Sequence, residues 1–255
     1  MVSTSTLLEA RGVQRSFGMD PILRDVNLAV HAGESVSITG LSGSGKTTLL
    51  SVLALMLKPD AGEVKVAGLA TANLSDGKRS QLRNQFYGYI FQAAHLVGSL
   101  SALENVLVPA LISGRGRERR DFARSLLSRL GLENRESHLP HMLSLGQRRR
   151  VALARALVLE PPFILADEPT NDLDPRRAEQ IAEFLLGLPT LGHALVLVTH
   201  DRTLARAAGV QLFLREGILH STDEPDGAGT AKAEKAGSRT DLDRHSLGQP
   251  HSKIS

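Results

Sequence analysis

The amino-terminal part of the chain alternates between strand-like and helix-like hydrophobic patterns. Apolar and polar residues alternate over 26–30 (VNLAV) and 34–40 (ESVSITG), which predicts two strands separated by a turn. A helix is expected over 45–57 (GKTTLLSVLALML). Short strands are expected over 63–68 (EVKVAG) and over the aromatic segment 86–92 (FYGYIFQ). This part of the chain therefore mixes β and α elements.

The middle of the chain has a helical pattern that ends at two prolines. Apolar spacing favours helices over residues 101–160, with a loop rich in Gly and Arg at 113–117. Pro161 and Pro162 end this region because proline cannot continue a helix. The run that follows, FILADE at 163–168, is apolar until its two acids. Such a run is typical of a strand buried on both faces of a sheet.

The remaining elements again alternate between helix and strand. A helix is predicted around 176–187, a strand over 194–200 (ALVLVTH), a helix near 201–208 and a hairpin around 211–219. Strands that alternate with helices indicate an α/β fold with a mostly parallel sheet. The chain shows no internal repeat.

The composition changes at about Ser221. Residues 221–255 are polar and nearly free of large apolar side chains. Such a segment cannot bury enough surface to offset the conformational entropy lost on ordering. We therefore expect a folded domain over 1–220 and a disordered polar tail over 221–255.

Composition and charge exclude several classes of protein. The 255 residues include no cysteine, which excludes disulfides, cysteine-type zinc sites and iron–sulfur clusters. A formal net charge of +3 gives no strong general attraction to nucleic acid, and no nucleic-acid partner is expected. Arginine clusters at 114–120 and 148–150 are interpreted as solvated helix faces. Neither a signal-peptide pattern nor an apolar run long enough to span a bilayer is present, so any membrane role would act through a partner.

A phosphate-binding motif, GLSGSGKTT, occupies residues 40–48. It matches G-x-x-x-x-G-K-[ST] and lies between a predicted strand and a predicted helix, as the motif requires. Glycines let backbone N–H groups surround a phosphate, and the helix N-terminus adds partial positive charge. Lys46 is expected to reach the β and γ phosphates and Thr47 to hold Mg²⁺; the alternative is an ordinary glycine turn. The candidate nucleotide-binding residues are Gly40, Ser42, Gly43, Ser44, Gly45, Lys46, Thr47 and Thr48.

Polar side chains follow three other predicted strands. Asp167 ends the buried strand, where its carboxylate can face a metal, and Glu168 is placed to act on an attacking water. His200 ends the next apolar strand; it is either a structural histidine or a ligand-binding residue at the sheet edge. Gln92 follows the aromatic strand and indicates nothing by itself.

The stretch MLSLGQRRRVALARAL, residues 142–157, contains a second potential anion site. A helix from Gly146 to Leu159 is predicted, preceded by Ser144. The N-terminus of such a helix can bind an anion. The alternative is a surface helix with a capping serine, which the local sequence alone favours.

Taken together and in this order, the motifs resemble those of the ATP-binding cassette (ABC) ATPases. The resemblance covers about residues 7–219 and includes the phosphate loop, the glutamine after an aromatic strand, L-S-x-G-Q, the Asp-Glu strand end, NDLD and VTH. Within the family, the segments GYIFQAAHLVGSLSALENVLVPAL and ADEPTNDLD look most like the lipoprotein-releasing and macrolide-efflux (LolD/MacB) branch.

The resemblance implies roles for residues around one nucleotide. Phe17 would stack on adenine, although an aromatic residue in the first strands could equally belong to the core. Glu168 would be the general base, and His200 would contact the γ-phosphate. Gln92 would sense Mg²⁺ and water and would touch a membrane partner. The implied Mg²⁺ contacts are Thr47, Gln92 and Asp167.

The resemblance also implies roles across a dimer interface. Ser144, Gly146 and Gln147 would form the signature that contacts the γ-phosphate of ATP bound to the other subunit. Asp174 would belong to a loop that crosses the interface. The family pattern is L-S-G-G-Q, so Leu145 is a departure. A side chain at this position is harmless if the backbone there is helical and unfavourable if φ is positive.

The implied fold is a P-loop NTPase with a RecA-like core and a mostly parallel sheet. An antiparallel β portion would lie near the N-terminus, and a helical subdomain would be inserted at about 93–160. The implied protein is the ATPase subunit of an ABC transporter, binding ATP and Mg²⁺ as a head-to-tail homodimer. It would lie in the cytoplasm, held at the inner face of the membrane by an integral permease. The alternatives are a soluble ABC ATPase not coupled to transport and a regulatory module that binds ATP without hydrolysing it.

Overall fold

A computed structural model describes residues 6–221 of the chain. Almost all of the tail predicted to be disordered therefore lies outside the described residues. The strands are β1 (Thr6–Phe17), β2 (Asp20–His31), β3 (Ser35–Thr39), β4 (Ala61–Val66), β5 (Leu69–Ala70), β6 (Tyr87–Ile90), β7 (Phe163–Asp167), β8 (Ala194–Val198), β9 (Val210–Arg215) and β10 (Ile218–Ser221). The helices are α1 (Lys46–Leu53), α2 (Asp76–Phe86), α3 (Ala102–Ile112), α4 (Arg120–Arg129), α5 (Leu145–Leu157), α6 (Pro175–Gly187) and α7 (Arg202–Arg206).

A six-stranded sheet forms the centre of the fold. Its order is β10-β9-β3-β8-β7-β6, and every pair is parallel except the hairpin of β9 and β10. Helices connect the parallel strands, as parallel pairing requires. The carboxyl ends of β3, β6, β7 and β8 therefore lie at the same edge of the sheet. This confirms the expected α/β fold with a mostly parallel sheet.

The central strand β7 is buried on both faces, as its apolar run predicts. Phe163 and Leu165 belong to one hydrophobic core, and Ile164 and Ala166 belong to another. This division follows from the alternation of side chains across a strand. The sheet thus separates the two cores of the described chain.

An antiparallel sheet of order β2-β1-β4-β5 covers the first core. Strand β1 buries alternate residues, Leu8 and Ala10, and then Val13 beyond a register shift in its pairing with β2. The same core contains the buried face of α1, including Leu49 and Leu50. This sheet is the expected antiparallel portion, and it brings the end of β1 to the start of α1.

Helices α3, α4 and α5 pack on the other core, together with part of α6. The carboxyl-terminal half of α5 lies against β6 at one very close contact. A Cβ atom added to Gly88 would lie 2.2 Å from the carbonyl oxygen of Ala156. Only glycine lets the strand and the helix approach this closely, so this contact fixes where α5 packs on the edge of the central sheet.

Several boundaries differ from the sequence prediction for identifiable reasons. The helical pattern expected over 101–160 is interrupted by two short 3₁₀ turns, at Glu133–Arg135 and Pro140–Met142. Helix α5 begins at Leu145, one residue earlier than predicted, and ends at Leu157. Helix α2 is not predicted from the pattern because none of its residues is buried. Its start depends on Ser75, whose side chain accepts a hydrogen bond from the Lys78 backbone N–H.

The helices between residues 6 and 221 are all too short or too polar to cross a bilayer.

Candidate functional site

A cleft of about 500 Å³ opens at the carboxyl edge of the central sheet. Strand β3 leads into the glycine-rich loop, β7 leads into the two acids, and β8 leads to His200. Because β3, β8 and β7 are adjacent in the sheet, residues far apart in sequence meet at one edge. The predicted residues that line the cleft are Phe17, Gly40, Ser42, Gly43, Gly45, Lys46, Thr47, Thr48, Gln92, Asp167, Glu168 and His200.

The glycine-rich loop bends sharply into the first turn of α1. Gly45 caps this helix with φ 97° and ψ 12°, and an added Cβ would lie 2.6 Å from Cγ2 of Ile22. Both the backbone angle and the close approach require glycine here. The Lys46 ammonium donates to the carbonyl oxygens of Gly40 at 2.9 Å and Leu41 at 2.8 Å. The loop thus curves around a positive charge, and the N-terminus of α1 faces the cleft with its partial positive charge.

Asp167 presents a buried carboxylate to the cleft. The residue is 5% exposed, and its Oδ1 atom has no hydrogen-bond partner among residues 6–221. Burial raises the pKa of Asp167, and the repulsion of Glu168 adds to this; a hydrogen bond from the Thr47 hydroxyl and the charge of Lys46 act in the opposite direction. A buried oxygen without a partner, next to a hydroxyl, suits a hard cation that prefers oxygen ligands.

Glu168 and His200 form a hydrogen-bonded pair in the cleft. Oε2 of Glu168 lies 2.9 Å from Nδ1 of His200 and accepts a hydrogen bond from the His200 backbone N–H at 3.2 Å. Glu168 has φ 45°, an uncommon angle for a residue with a side chain, and its N–H donates to the Val198 carbonyl at 2.9 Å. The glutamate side chain is 14% exposed and the histidine side chain 65% exposed. The pair thus has a partly buried carboxylate and an imidazole open to the cleft.

Phe17 and Gln92 lie far apart in the sequence but line the same cleft. Phe17 ends β1 and is 50% exposed, so it is not a core residue. Gln92 follows β6 and has an exposed side chain. An exposed aromatic ring at the border of a polar cleft provides a stacking surface for a planar ligand.

Five of the predicted residues lie outside the lining of this cleft. The Ser44 hydroxyl is buried behind the loop, without a hydrogen-bond partner in the described part of the chain. The others belong to α5 and to the start of α6. The five are Ser44, Ser144, Gly146, Gln147 and Asp174. Within this chain, the residues of α5 and α6 therefore do not meet the glycine-rich loop in the cleft.

The start of α5 is a reciprocal cap. The Ser144 hydroxyl accepts from the Gln147 backbone N–H at 3.3 Å, and the Gln147 side chain accepts from the Ser144 N–H at 2.8 Å. Leu145 is the first helical residue, is 44% exposed, and is not among the described residues with positive φ. Its backbone is therefore helical, which is the case in which a side chain is harmless. Gly146 is buried, and its Cβ position lies 3.0 Å from the Arg177 side chain.

Asp174 caps α6 and is linked to the same region. Its side chain accepts from the Arg177 backbone N–H at 3.2 Å, and it forms an ion pair with the Arg177 guanidinium, also at 3.2 Å. The lack of a side chain at Gly146 leaves space for this guanidinium. Asp174 and the start of α5 therefore lie on one continuous surface.

Arg149 is a residue of the site region that the sequence prediction missed. It is 3% exposed, whereas the arginine cluster at 148–150 was expected on a solvated face. Its guanidinium donates to the carbonyl oxygens of Phe91 at 3.2 Å, of Gln92, and of Asn171 at 2.8 Å. It joins α5 to the two loops that follow β6 and β7. The available signal was position: Arg149 lies three residues after the buried Gly146 and four before the core residue Leu153, on the same face of α5, but charge alone suggested solvent.

Comparison with known proteins assigns the fold and the motifs to one family. The profile of the family described as ABC transporter matches residues 23–171. The lipoprotein-releasing system ATP-binding protein LolD of Porphyromonas gingivalis is 42% identical over 217 residues, which cover 84% of this chain and 99% of that protein. The macrolide export ATP-binding/permease protein MacB of Pectobacterium atrosepticum is 42% identical over 242 residues. These cover 92% of this chain and 37% of MacB, so the chain spans little more than a third of that relative.

Solved structures agree with this assignment. The dimeric structure of MJ0796, described as a bacterial ABC transporter cassette, has a TM-score of 0.78 and 36% identity, over 84% of this chain and 98% of that one. A dimeric post-hydrolysis state of the same cassette, bound to ADP and Pi, has a TM-score of 0.75 and 35% identity, with the same coverage. The resemblance in the motifs and the LolD/MacB placement are therefore confirmed. The chain belongs to the ABC transporter family, in which it is an ATPase cassette of the kind found in LolD and MacB.

Proposed function

We propose that this chain binds ATP in the cleft, hydrolyses it as a head-to-tail homodimer, and drives a separate membrane permease. The observation that carries the proposal is the convergence of the phosphate loop, Asp167 and the Glu168–His200 pair at one edge of the central sheet. Phosphoryl transfer depends mainly on positioning and on charge stabilisation. The cleft contains groups for both.

The phosphate groups of ATP would lie in the loop of residues 40–48. Backbone N–H groups at the N-terminus of α1 would donate hydrogen bonds to phosphate oxygens, and the Lys46 ammonium would exchange its two carbonyl partners for phosphate oxygens. Adenine would stack on Phe17, whose half-exposed ring borders the cleft. ATP binding is supported by the family and by the ADP-bound cassette that this chain resembles.

Thr47 and Asp167 would hold Mg²⁺, with Gln92 as a further contact. The residues fit this ion because Asp167 has a buried oxygen without a partner among the described residues, next to the Thr47 hydroxyl. When bound, Mg²⁺ neutralises charge that develops on the transferring phosphoryl group. Within this chain, Lys46 would supply further positive charge beside Asp167.

Glu168 would accept a proton from the attacking water through its carboxylate. His200 would orient that carboxylate through the 2.9 Å contact and, being 65% exposed, would also reach the γ-phosphate. The positive φ of Glu168 and its bond to Val198 would fix the glutamate where the strand ends. This arrangement favours hydrolysis over the alternative of ATP binding without turnover.

The second subunit would supply the signature. Ser144, Gly146 and Gln147 lie outside their own cleft, and Asp174 lies on the same surface as the start of α5. In a two-fold dimer, each subunit would place this surface against the other subunit's phosphates. The dimeric cassettes of similar structure support this arrangement.

The membrane role would depend on a permease. MacB is named as an ATP-binding/permease protein, and LolD is named as the ATP-binding protein of a lipoprotein-releasing system. By analogy, this chain would lie at the cytoplasmic face of the membrane, held there by its permease. The alternative, a soluble ABC ATPase without a transporter, would be indicated by isolation of the native protein without any membrane partner.

Substitution of the proposed base tests the central claim. Glu168→Gln should keep ATP affinity but lower turnover by roughly 10²–10⁴-fold, the usual effect of a positioned base. With ATP, this variant should elute as a dimer in size-exclusion chromatography, and with ADP as a monomer. Glu183→Gln is the matched control, because Glu183 is an exposed acidic residue of α6. It should behave as the unaltered chain. Near-normal hydrolysis by Glu168→Gln would show that the base is another group.

A further inference from the structure

The aromatic ring at the border of the cleft has an arginine next to it, outside the cleft. The Cζ atom of Arg15 lies 5.1 Å from the centroid of the Phe17 ring. This distance lies within the range of cation–π attraction, which is about 6 Å. Arg15 is not part of the cleft lining, so the guanidinium contacts the ring without taking a place in the nucleotide site.

Arg15 is itself fixed by Asp60, which precedes β4. The Arg15 guanidinium donates through Nη1 to Oδ1 of Asp60 at 2.5 Å and to the Lys58 carbonyl at 3.3 Å. Its side chain is 23% exposed, and its Nε atom is buried without a partner in the described chain. A guanidinium held at two points on a neighbouring segment is far less mobile than a free surface arginine.

The same carboxylate also fixes the backbone next to the ring. Oδ2 of Asp60 accepts from the Ser16 backbone N–H at 2.7 Å, and the Asp60 N–H donates to the Gln14 carbonyl at 2.8 Å. Asp60 thus binds the residues on both sides of Arg15 as well as its side chain. The end of β1, where Phe17 turns back towards Asp20, is anchored to the start of β4 by this one residue.

We infer that Arg15, fixed by Asp60, is a positioning residue that holds the Phe17 ring in place for the nucleotide base. This inference rests on the proposed stacking of adenine on Phe17. A half-exposed ring would otherwise lose side-chain freedom when a base stacks on it, and that loss weakens binding. Restraint of the ring before binding removes part of this loss. Arg15 should therefore increase the affinity for ligands that have a base, and not for phosphate groups alone.

The test compares a ligand that has a base with one that lacks it. Affinities of the monomer for ATP and for inorganic tripolyphosphate would be measured by calorimetry, directly or by competition. Arg15→Leu should weaken ATP binding about 3- to 10-fold, a range set by the strength of cation–π and restraint effects. Tripolyphosphate affinity should change by less than about 2-fold, since a single surface charge contributes little at this range. Asp60→Asn, which leaves Arg15 present but weakens its anchor, should shift ATP affinity in the same direction.

Matched variants separate the possible outcomes. Arg11→Leu removes an exposed arginine of the same strand, paired with Glu9, and should leave both affinities unchanged. In a Phe17→Ala background, Arg15→Leu should have no further effect, because the ring on which it acts is absent. Unfolding temperatures of all variants would be recorded, and Arg15→Gln, which removes the charge but keeps a polar side chain, replaces Arg15→Leu if the latter does not fold.

Each result distinguishes this inference from the proposed function. If Phe17→Ala leaves ATP affinity unchanged, the stacking proposal is wrong and the inference fails with it. If Phe17→Ala weakens ATP binding while Arg15→Leu and Asp60→Asn do not, only the inference is overturned. An equal loss of ATP and tripolyphosphate affinity in Arg15→Leu would show that Arg15 acts by long-range charge and not on the ring.

Discussion

The Glu168 carboxylate and the His200 imidazole lie 2.9 Å apart at the ends of adjacent parallel strands. If the two act as a unit on the attacking water and the γ-phosphate, their substitutions should not be additive. His200→Ala should lower turnover on the order of 10²-fold, as expected when one charge-stabilising group is removed. In a Glu168→Gln background, His200→Ala should lower it little further. Steady-state ATPase assays of the single and double variants measure this, and full additivity would argue for independent roles.

The start of α5 allows capping and phosphate contact to be separated. Ser144→Ala should weaken ATP-dependent pairing, but it also removes a helix cap whose loss typically destabilises by about 1 kcal/mol. Ser144→Asp is the sharper variant because aspartate is a good N-cap but places a carboxylate at the proposed phosphate position. It should keep the unfolding temperature and monomer nucleotide affinity while abolishing the ATP-dependent dimer. If pairing survives in Ser144→Asp, the serine is only a helix cap.

Two neighbours of Ser144 provide internal comparisons for the same assay. Gly146→Asp should impair pairing at least as strongly, since its side chain would meet Arg177 and add negative charge. Leu145→Gly should change turnover only a few-fold, because the backbone at Leu145 is already helical and the main effect is flexibility. Loss of all activity in Leu145→Gly would contradict this account of the signature.

Asp167 should lower the free energy of unfolding of the nucleotide-free protein. Its buried Oδ1 has no partner among residues 6–221, and burial raises its pKa, so the ionised form is unfavourable in the folded chain. Asp167→Asn should raise the free energy of unfolding without nucleotide by roughly 1–3 kcal/mol, the usual penalty of an unsatisfied buried group. The same variant should lose Mg²⁺-dependent ATP hydrolysis. Urea denaturation and ATPase assays test the two halves, and a variant less stable than the parent would refute the first.

Arg149 should stabilise the loops that follow β6 and β7. Arg149→Met removes the donor for the carbonyls of Phe91, Gln92 and Asn171 and should lower the free energy of unfolding by about 1–3 kcal/mol. Amide hydrogen exchange should become faster in both loops. Arg148→Met is the matched control, because the one described hydrogen bond of its side chain, to the Pro140 carbonyl, is long at 3.4 Å. Equal effects of the two substitutions would show that the contacts of Arg149 with the two loops contribute nothing specific to stability.

The sequence predicted the elements that bury apolar residues in a regular pattern. Strand β7 was recognisable because its residues pack on both cores, and α1 because it follows the glycine loop. Helix α2 was missed because only Leu82 and Phe86 pack against the core, both partly buried, so its hydrophobic signal is weak. The turns before α5 were missed because leucines on either side, such as Leu132 and Leu143, continue the apolar spacing across them.

The candidate site could be predicted where its residues form a motif of neighbouring residues in the sequence. The phosphate loop and the two acids could be identified from adjacent residues, since strand ends meet at one edge of a parallel sheet. The contacts of Arg149 and Arg15 were not predictable, because their partners are backbone carbonyls or a carboxylate 22 to 58 residues away in sequence. A charged residue in the sequence is expected to be exposed to solvent. Only the tertiary structure shows which groups these two side chains contact.

The close approach of Gly88 to the Ala156 carbonyl would make this point the pivot of any tilt of α5. Ala156 lies near the carboxyl-terminal end of α5, in contact with β6, and Leu145 lies at the other end of the helix. The part of the helix between these two residues would move as one arm about the contact. The arm is about 16 Å long at the rise of an α-helix, so a rotation of about 10° would move the signature end by about 3 Å. A shift of that size would make or break a hydrogen bond to phosphate. Arg155 lies next to Ala156 and donates to the carbonyls of Ala94 and His95. The loop after Gln92 would therefore move together with the helix.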